Sequence, residues 1–263
     1  MNSVGFCRQC VFAVAALSLW ACTPADKTHP AEHIITPAPV SKNLIHRYSF
    51  TNSVKDSAGK VDGILKGGAT VTGGKLVLDN GAKLSPDATL AYVDFGSPIL
   101  PAAGSTSIAF WFTAQDTLSF SRIIDVGDKS GAVAEAFLYF TPHIAAGTTR
   151  AAISATNSRA RKFVDSPRLD DGKAHVVVLV IDGTAKKMHV YVDGTEPSPP
   201  VDLGDNTLDK VRPTHTWVGK SSFDADGGLT ASIDELRVYD TALSTEEIAA
   251  IIKAGPDALP AGH

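Results

Sequence analysis

The sequence predicts an all-β fold, a two-sheet antiparallel sandwich or jelly roll with one short C-terminal helix. Three observations predict it. From Leu44 onward the apolar runs are short and are broken by turns rich in Gly and Asp. Several of those runs alternate apolar and polar side chains with the two-residue period of a half-buried strand. The one strong helix signature comes last, after all the strands. Composition agrees. Of 263 residues, 44% are hydrophobic and 20% charged, which is enough for a packed core and excludes wholesale disorder. A net charge of −4 gives no electrostatic attraction for nucleic acid, and no such partner is expected.

His46 to Phe50 reads as the first strand. Val61 to Leu65 and Lys75 to Leu78 follow, separated by Gly67-Gly68 and Gly73-Gly74, and Ala91 to Phe95 alternates. Ser107 to Thr113 places Ile108, Phe110 and Phe112 on one face. Arg122 to Val126 and Ala136 to Phe140 are further runs. His175 to Ile181 is apolar on both faces, as a strand within a packed layer must be, and Asp182-Gly183-Thr184 turns it into Met188 to Val192 as a hairpin. In the last strand, Leu229, Ala231 and Ile233 share one parity while Leu236 and Val238 take the other. A one-residue slip of the inward phase is the signature of a β-bulge, here at Asp234-Glu235. The helix begins at Ser244, with Glu247 completing a capping box and Leu243 and Ile248 placed as a hydrophobic staple. Ile248, Ile251 and Ile252 form its apolar stripe, and Gly255-Pro256 stops it. No second boundary and no internal repeat shows between Leu44 and Gly255.

The N-terminus is of a different kind. Arg8 precedes an apolar run from Val11 to Ala21 that is too short to span a bilayer as a helix. The quartet Leu19-Trp20-Ala21-Cys22 resembles the bacterial lipoprotein box, in which the Cys is acylated and becomes the mature N-terminus; Trp20 departs from the small residue usual there. Ordinary signal cleavage after Ala21 or Ala25 is the alternative. All three cysteines (Cys7, Cys10, Cys22) lie in or beside this segment, so the folded part is expected to hold no disulfide and no thiolate ligand. Acyl chains add about 0.8 kcal/mol per buried methylene, so an acylated Cys22 would hold the protein on a membrane. Thr23 stands where an Asp would resemble an inner-membrane retention signal, which directs the expectation to the cell envelope and, in a Gram-negative cell, the outer membrane. The expected organisation is a signal peptide at 1–21, a lipidated Cys and Pro-rich disordered tether at 22–43, the sandwich at 44–256 and a flexible tail at 257–263. A docked strand at His33-Ile34-Ile35 is the alternative to the tether.

Three stretches carry a family resemblance. They are His46-Arg47-Tyr48-Ser49-Phe50 with Asp56-Ser57-Ala58-Gly59, Met188-His189-Val190-Tyr191-Val192-Asp193-Gly194, and Ser232-Ile233-Asp234-Glu235-Leu236-Arg237-Val238-Tyr239 leading into the helix. In this order, over about Leu44 to Ala254, they resemble bacterial laminin G-like domains of the concanavalin A-like lectin/glucanase superfamily. The resemblance implies a jelly roll whose members include lectins, adhesion modules and glycosidases. It also implies calcium near the paired termini, with Asp56 and Asp234 as candidate ligands. Read from the residues alone, Asp56 is equally an Asx-turn residue and Asp234-Glu235 a partner for Arg237 or a loop amide. Asp224-Ala225-Asp226-Gly227-Gly228 lacks the downstream Glu of an EF-hand loop and reads as a hairpin turn.

Catalytic signatures are missing. There is no Glu-x-Asp-x-x-Glu strand of the kind that resembles glycosidases of this superfamily, no HExxH and no Gly-x-Ser-x-Gly elbow, and no catalytic residue is assigned. Trp111 and Trp217 read as core, Phe223 as the best candidate for an exposed aromatic, and Glu135 as a strand-edge surface charge. Arg150, Arg159, Arg161, Lys162 and Arg168 crowd one region, with Arg159 and Arg161 on one strand face. They form either a solvated face or a contact for an acidic glycan or lipid headgroup. The expected function is a non-catalytic, membrane-anchored surface module that binds a glycan or an extracellular protein. A glycan-active enzyme with unrecognised catalytic residues is the alternative.

Overall fold

Alternation along the strands decides which side chains meet between the two sheets, and the computed structural model shows this over residues 40–129 and 131–260. These residues lie in one unit, Pro37–His263. The signal peptide, Cys22 and the tether up to residue 39 fall outside the described residues.

In chain order the strands are β1 (Leu44–Tyr48), β2 (Ile64–Lys66), β3 (Thr70–Thr72), β4 (Lys75–Leu78), β5 (Tyr92–Asp94), β6 (Thr106–Gln115), β7 (Ile124–Gly127), β8 (Phe137–Thr141), β9 (Thr148–Ser154), β10 (Lys162–Pro167), β11 (Asp171–Asp182), β12 (Lys187–Val192), β13 (Val201–Asp202), β14 (His215–Val218) and β15 (Ala231–Tyr239). An eight-stranded sheet runs β13-β12-β11-β6-β15-β4-β3, with β1 also paired to β15. A seven-stranded sheet runs β10-β9-β8-β7-β14-β5-β2. All pairings within both sheets are antiparallel. The short β3, between the two Gly pairs, is one that the sequence pattern misses.

Ile108, Phe110 and Phe112 of β6 are buried between the sheets with Leu138 and Phe140 of β8 and Val177, Leu179 and Ile181 of β11. Each such side chain contributes about 1.5–3 kcal/mol by leaving water. The other face of β11, Val176, Val178 and Val180, is buried for a separate reason. It lies under helix α1 (Thr245–Ala254) together with Trp111, Leu243, Ile248 and Ile251. A second apolar layer on the outside of the sheet explains why β11 is apolar on both faces. The capping box is present: Ser244 Oγ accepts from Glu247 N–H and Glu247 accepts from Ser244 N–H, while Gly255 ends the helix at φ 78°.

The bulge in β15 lies where the inward phase slips. Ile233 pairs with Phe112 and Glu235 with Trp111, so Asp234 is the extra residue. Two expectations are corrected. Asp224 to Gly228 is no hairpin turn, because β14 and β15 belong to different sheets and the segment crosses between them. Arg159 and Arg161 share no strand face, because β10 begins only at Lys162 and both lie in the preceding turn.

Candidate glycan-binding face

One register row crosses the outer face of the seven-stranded sheet. Phe163 of β10 is paired with Ala152 of β9, Ala152 with Tyr139 of β8, Tyr139 with Asp125 of β7, Asp125 with Trp217 of β14, and Trp217 with Asp94 of β5. Paired residues point to one face, and neighbouring strands lie about 4.8 Å apart, so Tyr139 and Trp217 stand roughly 10 Å from each other. Thr216 and Val218 alternate with Trp217, and Val218 is in the core, so Trp217 points outward. It is half-buried, stacked on His215 at a centroid distance of 4.0 Å, with Tyr92 edge-on at 6.1 Å. Lys220 Nζ lies 4.7 Å from its ring centroid and 4.5 Å from that of Tyr92. The expectation that Trp217 is core is therefore corrected. Trp111, by contrast, is buried beneath α1.

Beside this platform is a hollow of about 180 Å³, walled by Phe120, Phe137, Tyr139 and Phe223. Arg122, Ser158, Arg161 and Asp226 supply its polar groups. Phe223 is half-buried, edge-on to Phe137 at 5.5 Å. Phe120 is held at φ 63°, a left-handed conformation costly for a bulky side chain. The Arg122 side chain is only 2% exposed, and its guanidinium lies 3.7 Å from the Tyr139 ring centroid. Its Nη2 donates to Asp226 Oδ2 at 2.7 Å and its Nε is ion-paired with Asp125 Oδ2 at 3.4 Å, while Nη1 has no partner among the described residues.

Two carboxylates flank Arg122 and differ in character. Asp125 is fully buried. Its Oδ1 lies 2.8 Å from His215 Nε2, and its Oδ2 accepts from both N–H and Oγ–H of Ser222. Burial works against its charge, but His215, Arg122 and Ser222 outweigh burial and hold its carboxyl below the usual range. Asp226 goes the other way. Burial pushes its carboxyl up, opposed by the Arg122 charge and by Ser221 Oγ–H, which donates to Oδ2 at 2.6 Å.

The basic cluster expected from sequence divides. Arg150 is held bidentately by Asp165 at 2.6 Å through both contacts and lies over Phe163, while Arg168 pairs with Asp170. Arg161 reaches the hollow and donates to Ser158 O, with no carboxylate partner among the described residues and with its Nε unpartnered. Glu135 is exposed.

Asp56 and Asp234 lie elsewhere and share no partner. Asp56 Oδ1 accepts from the N–H groups of Arg47, Ala58 and Gly59, and Oδ2 from that of Val61; His46 Nδ1 lies 2.6 Å from Oδ2. Burial opposes its charge, yet His46 and the backbone donors hold its carboxyl below the ordinary value. Five donors fill the acceptor sites of one carboxylate, so Asp56 does not fit a cation. At the bulge, Asp234 pairs with Lys75 at 2.9 Å. Among the described residues no group of three or more His, Cys, Asp or Glu side chains is arranged to hold a metal ion.

The row and hollow went unnoticed in the sequence because their members are scattered from Tyr92 to Asp226. The inward parity of Val218 was the one available sign for Trp217.

Residues 87–249 match the family model of the concanavalin A-like lectin/glucanases superfamily, and the chain belongs to that family. No curated protein matches it. Among solved structures it is similar to domain 4 of AbnA, an extracellular arabinanase from Geobacillus stearothermophilus, in complex with arabinotriose. That likeness has 18% identity and a TM-score of 0.53, covering 78% of this chain and 95% of the other. It is also similar to the receptor binding domain of botulinum neurotoxin C/D mosaic serotype, with 15% identity and a TM-score of 0.60, over 82% of this chain. A third likeness is to botulinum neurotoxin type C, whose cell entry depends on two ganglioside molecules, with 12% identity, a TM-score of 0.57 and 80% of this chain covered. The chain spans about half of these toxin chains, 52% and 50%. At these identities the likeness is one of fold: a lectin-like jelly roll.

Proposed function

We infer that the protein is a non-catalytic glycan-binding module, held at the cell envelope through an acylated Cys22, and that sugar lies along the outer face of the seven-stranded sheet. One observation carries this reading: the row joining half-buried Trp217 to the aromatic-walled hollow at Tyr139. Sugar rings stack on such faces, while a few polar groups set orientation. Bound arabinotriose on the similar arabinanase domain supports the same reading. A glycosidase of this fold is the second reading, favoured by the Asp125–Asp226 pair with its opposed pKa shifts. It is weakened by Asp125, which is wholly buried with both oxygens engaged and so cannot reach a glycosidic bond.

The test is titration of the full chain with arabinotriose and with a panel of other oligosaccharides, for wild type and Trp217→Ala. Binding that weakens about tenfold or more in the variant, with no hydrolysis of the ligand, is expected. Binding unchanged in the variant would move the site off this face.

A further inference from the structure

We propose that the Arg122–Arg161 hollow is a subsite for the carboxylate of an acidic sugar. This rests on the glycan-binding reading above and names its ligand class.

Arg122 is buried with Nη2 on Asp226 and Nε 3.4 Å from Asp125 Oδ2, yet its Nη1 finds no acceptor among the described residues. A buried donor left unmade costs about 1–3 kcal/mol, more when charged, so the site is one acceptor short of satisfied. Arg161 brings a second unpartnered nitrogen to the same hollow and a charge that no carboxylate among the described residues neutralises. Guanidinium pairs match planar carboxylates in geometry as well as charge.

Asp226 decides which oxyanion. It spends only Oδ2 on Arg122 and Ser221 and leaves Oδ1 as an acceptor in the hollow. An acceptor beside two cations suits a ligand that carries hydroxyl donors and a single negative charge. It repels a phosphate dianion. Arg122 and Arg161 already balance Asp125 and Asp226 in charge, so an added carboxylate is held by the open donors Arg122 Nη1 and Arg161 Nε and not by net positive charge, which limits it to a single negative charge. The walls of Tyr139 and Phe223 then take the ring.

The experiment titrates the full chain with the methyl glycosides of N-acetylneuraminic, glucuronic and galacturonic acid, each against its own methyl ester. The ester keeps the ring and removes the charge. At least one acid is expected to bind about tenfold more tightly than its ester, a preference that falls with salt. Arg122→Met is expected to abolish the preference. If that variant does not fold, Arg161→Gln, in a surface turn, is expected to narrow it by several-fold. Acid and ester binding alike, or an Arg161→Gln ratio equal to wild type, overturns the proposal. Neutral oligosaccharides binding in a Trp217-dependent way, with no acid preferred, also overturns it while leaving the glycan-binding reading standing. No binding of any sugar brings down both.

Discussion

On the outer face of the eight-stranded sheet Arg237 lies over Trp111, 4.6 Å from its ring centroid; on the outer face of the seven-stranded sheet Arg122 lies over Tyr139 at 3.7 Å. Both arginines are buried, and their surroundings differ. Arg237 donates to Glu235 and to the carbonyls of Gly255 and Ala258, which tie the chain's end across the sheet. Glu235 in turn takes a fork from Arg47 and the N–H of Asp257. Helix α1 covers the neighbouring apolar surface. Arg122 has one short bond to Asp226, a longer ion pair from Nε to Asp125, an Nη1 without a partner and an open hollow before it. A buried arginine over an aromatic ring therefore belongs to a closed cluster on one face and borders an open hollow on the other. Each guanidinium keeps an Nη1 without a hydrogen-bond partner among the described residues, so the open hollow before Arg122, and not satisfaction alone, separates the candidate site from the structural cluster.

The lock gives the largest expected effect. Glu235→Ala leaves Arg237 buried without its carboxylate, and a loss of about 3–5 kcal/mol in urea unfolding is expected. A loss below about 1 kcal/mol would mean that the tail carbonyls alone hold Arg237. The same residue predicts an acid limit. Burial would raise its carboxyl, but Arg47 and Arg237 outweigh burial and hold it below the ordinary range. A depressed folded value means that its contribution is complete above the unfolded value, about 4.3, and is lost as pH falls through the lower folded one. The urea midpoint should fall in that acid window, and fall less in Glu235→Ala.

A smaller effect belongs to the helix that covers this face. Ser244→Ala removes one half of the capping box and should cost about 1 kcal/mol, read as a lowered thermal midpoint with ligand binding unchanged. The smallest is a null. Since Asp56 is filled by N–H donors and Asp234 by Lys75, adding calcium or a chelator should leave the thermal midpoint where it is. A drop with chelator that Asp234→Ala removes would show that the seam rearranges around a cation.

Local rules were enough for much of the fold. Ser244, Glu247 and Gly255 fix the helix ends through bonds within a few residues, and the parity slip around Asp234 marks the bulge because alternation is itself a short-range property. The β11–β12 hairpin follows from its turn for the same reason: Asp182 Oδ1 accepts from the N–H groups of Thr184 and Ala185. The crossing segment at Asp224 to Gly228 looks the same as a hairpin turn at this range, since nothing local says which sheet the next strand joins.

What the sequence by itself determined is the class: a β-sandwich with one capped helix, its inward-facing residues and its bulge, all set by periodicity and by contacts close along the chain. Only the tertiary structure decided the candidate site. Tyr139 and Trp217 share one row because antiparallel pairing across β8, β7 and β14 aligns them, and the segments that flank those strands bring Arg122, Arg161 and Asp226 to the hollow beside it; both depend on contacts far apart in the chain. Whether a buried arginine is satisfied is likewise a property of every neighbour at once, and no window of sequence contains them all.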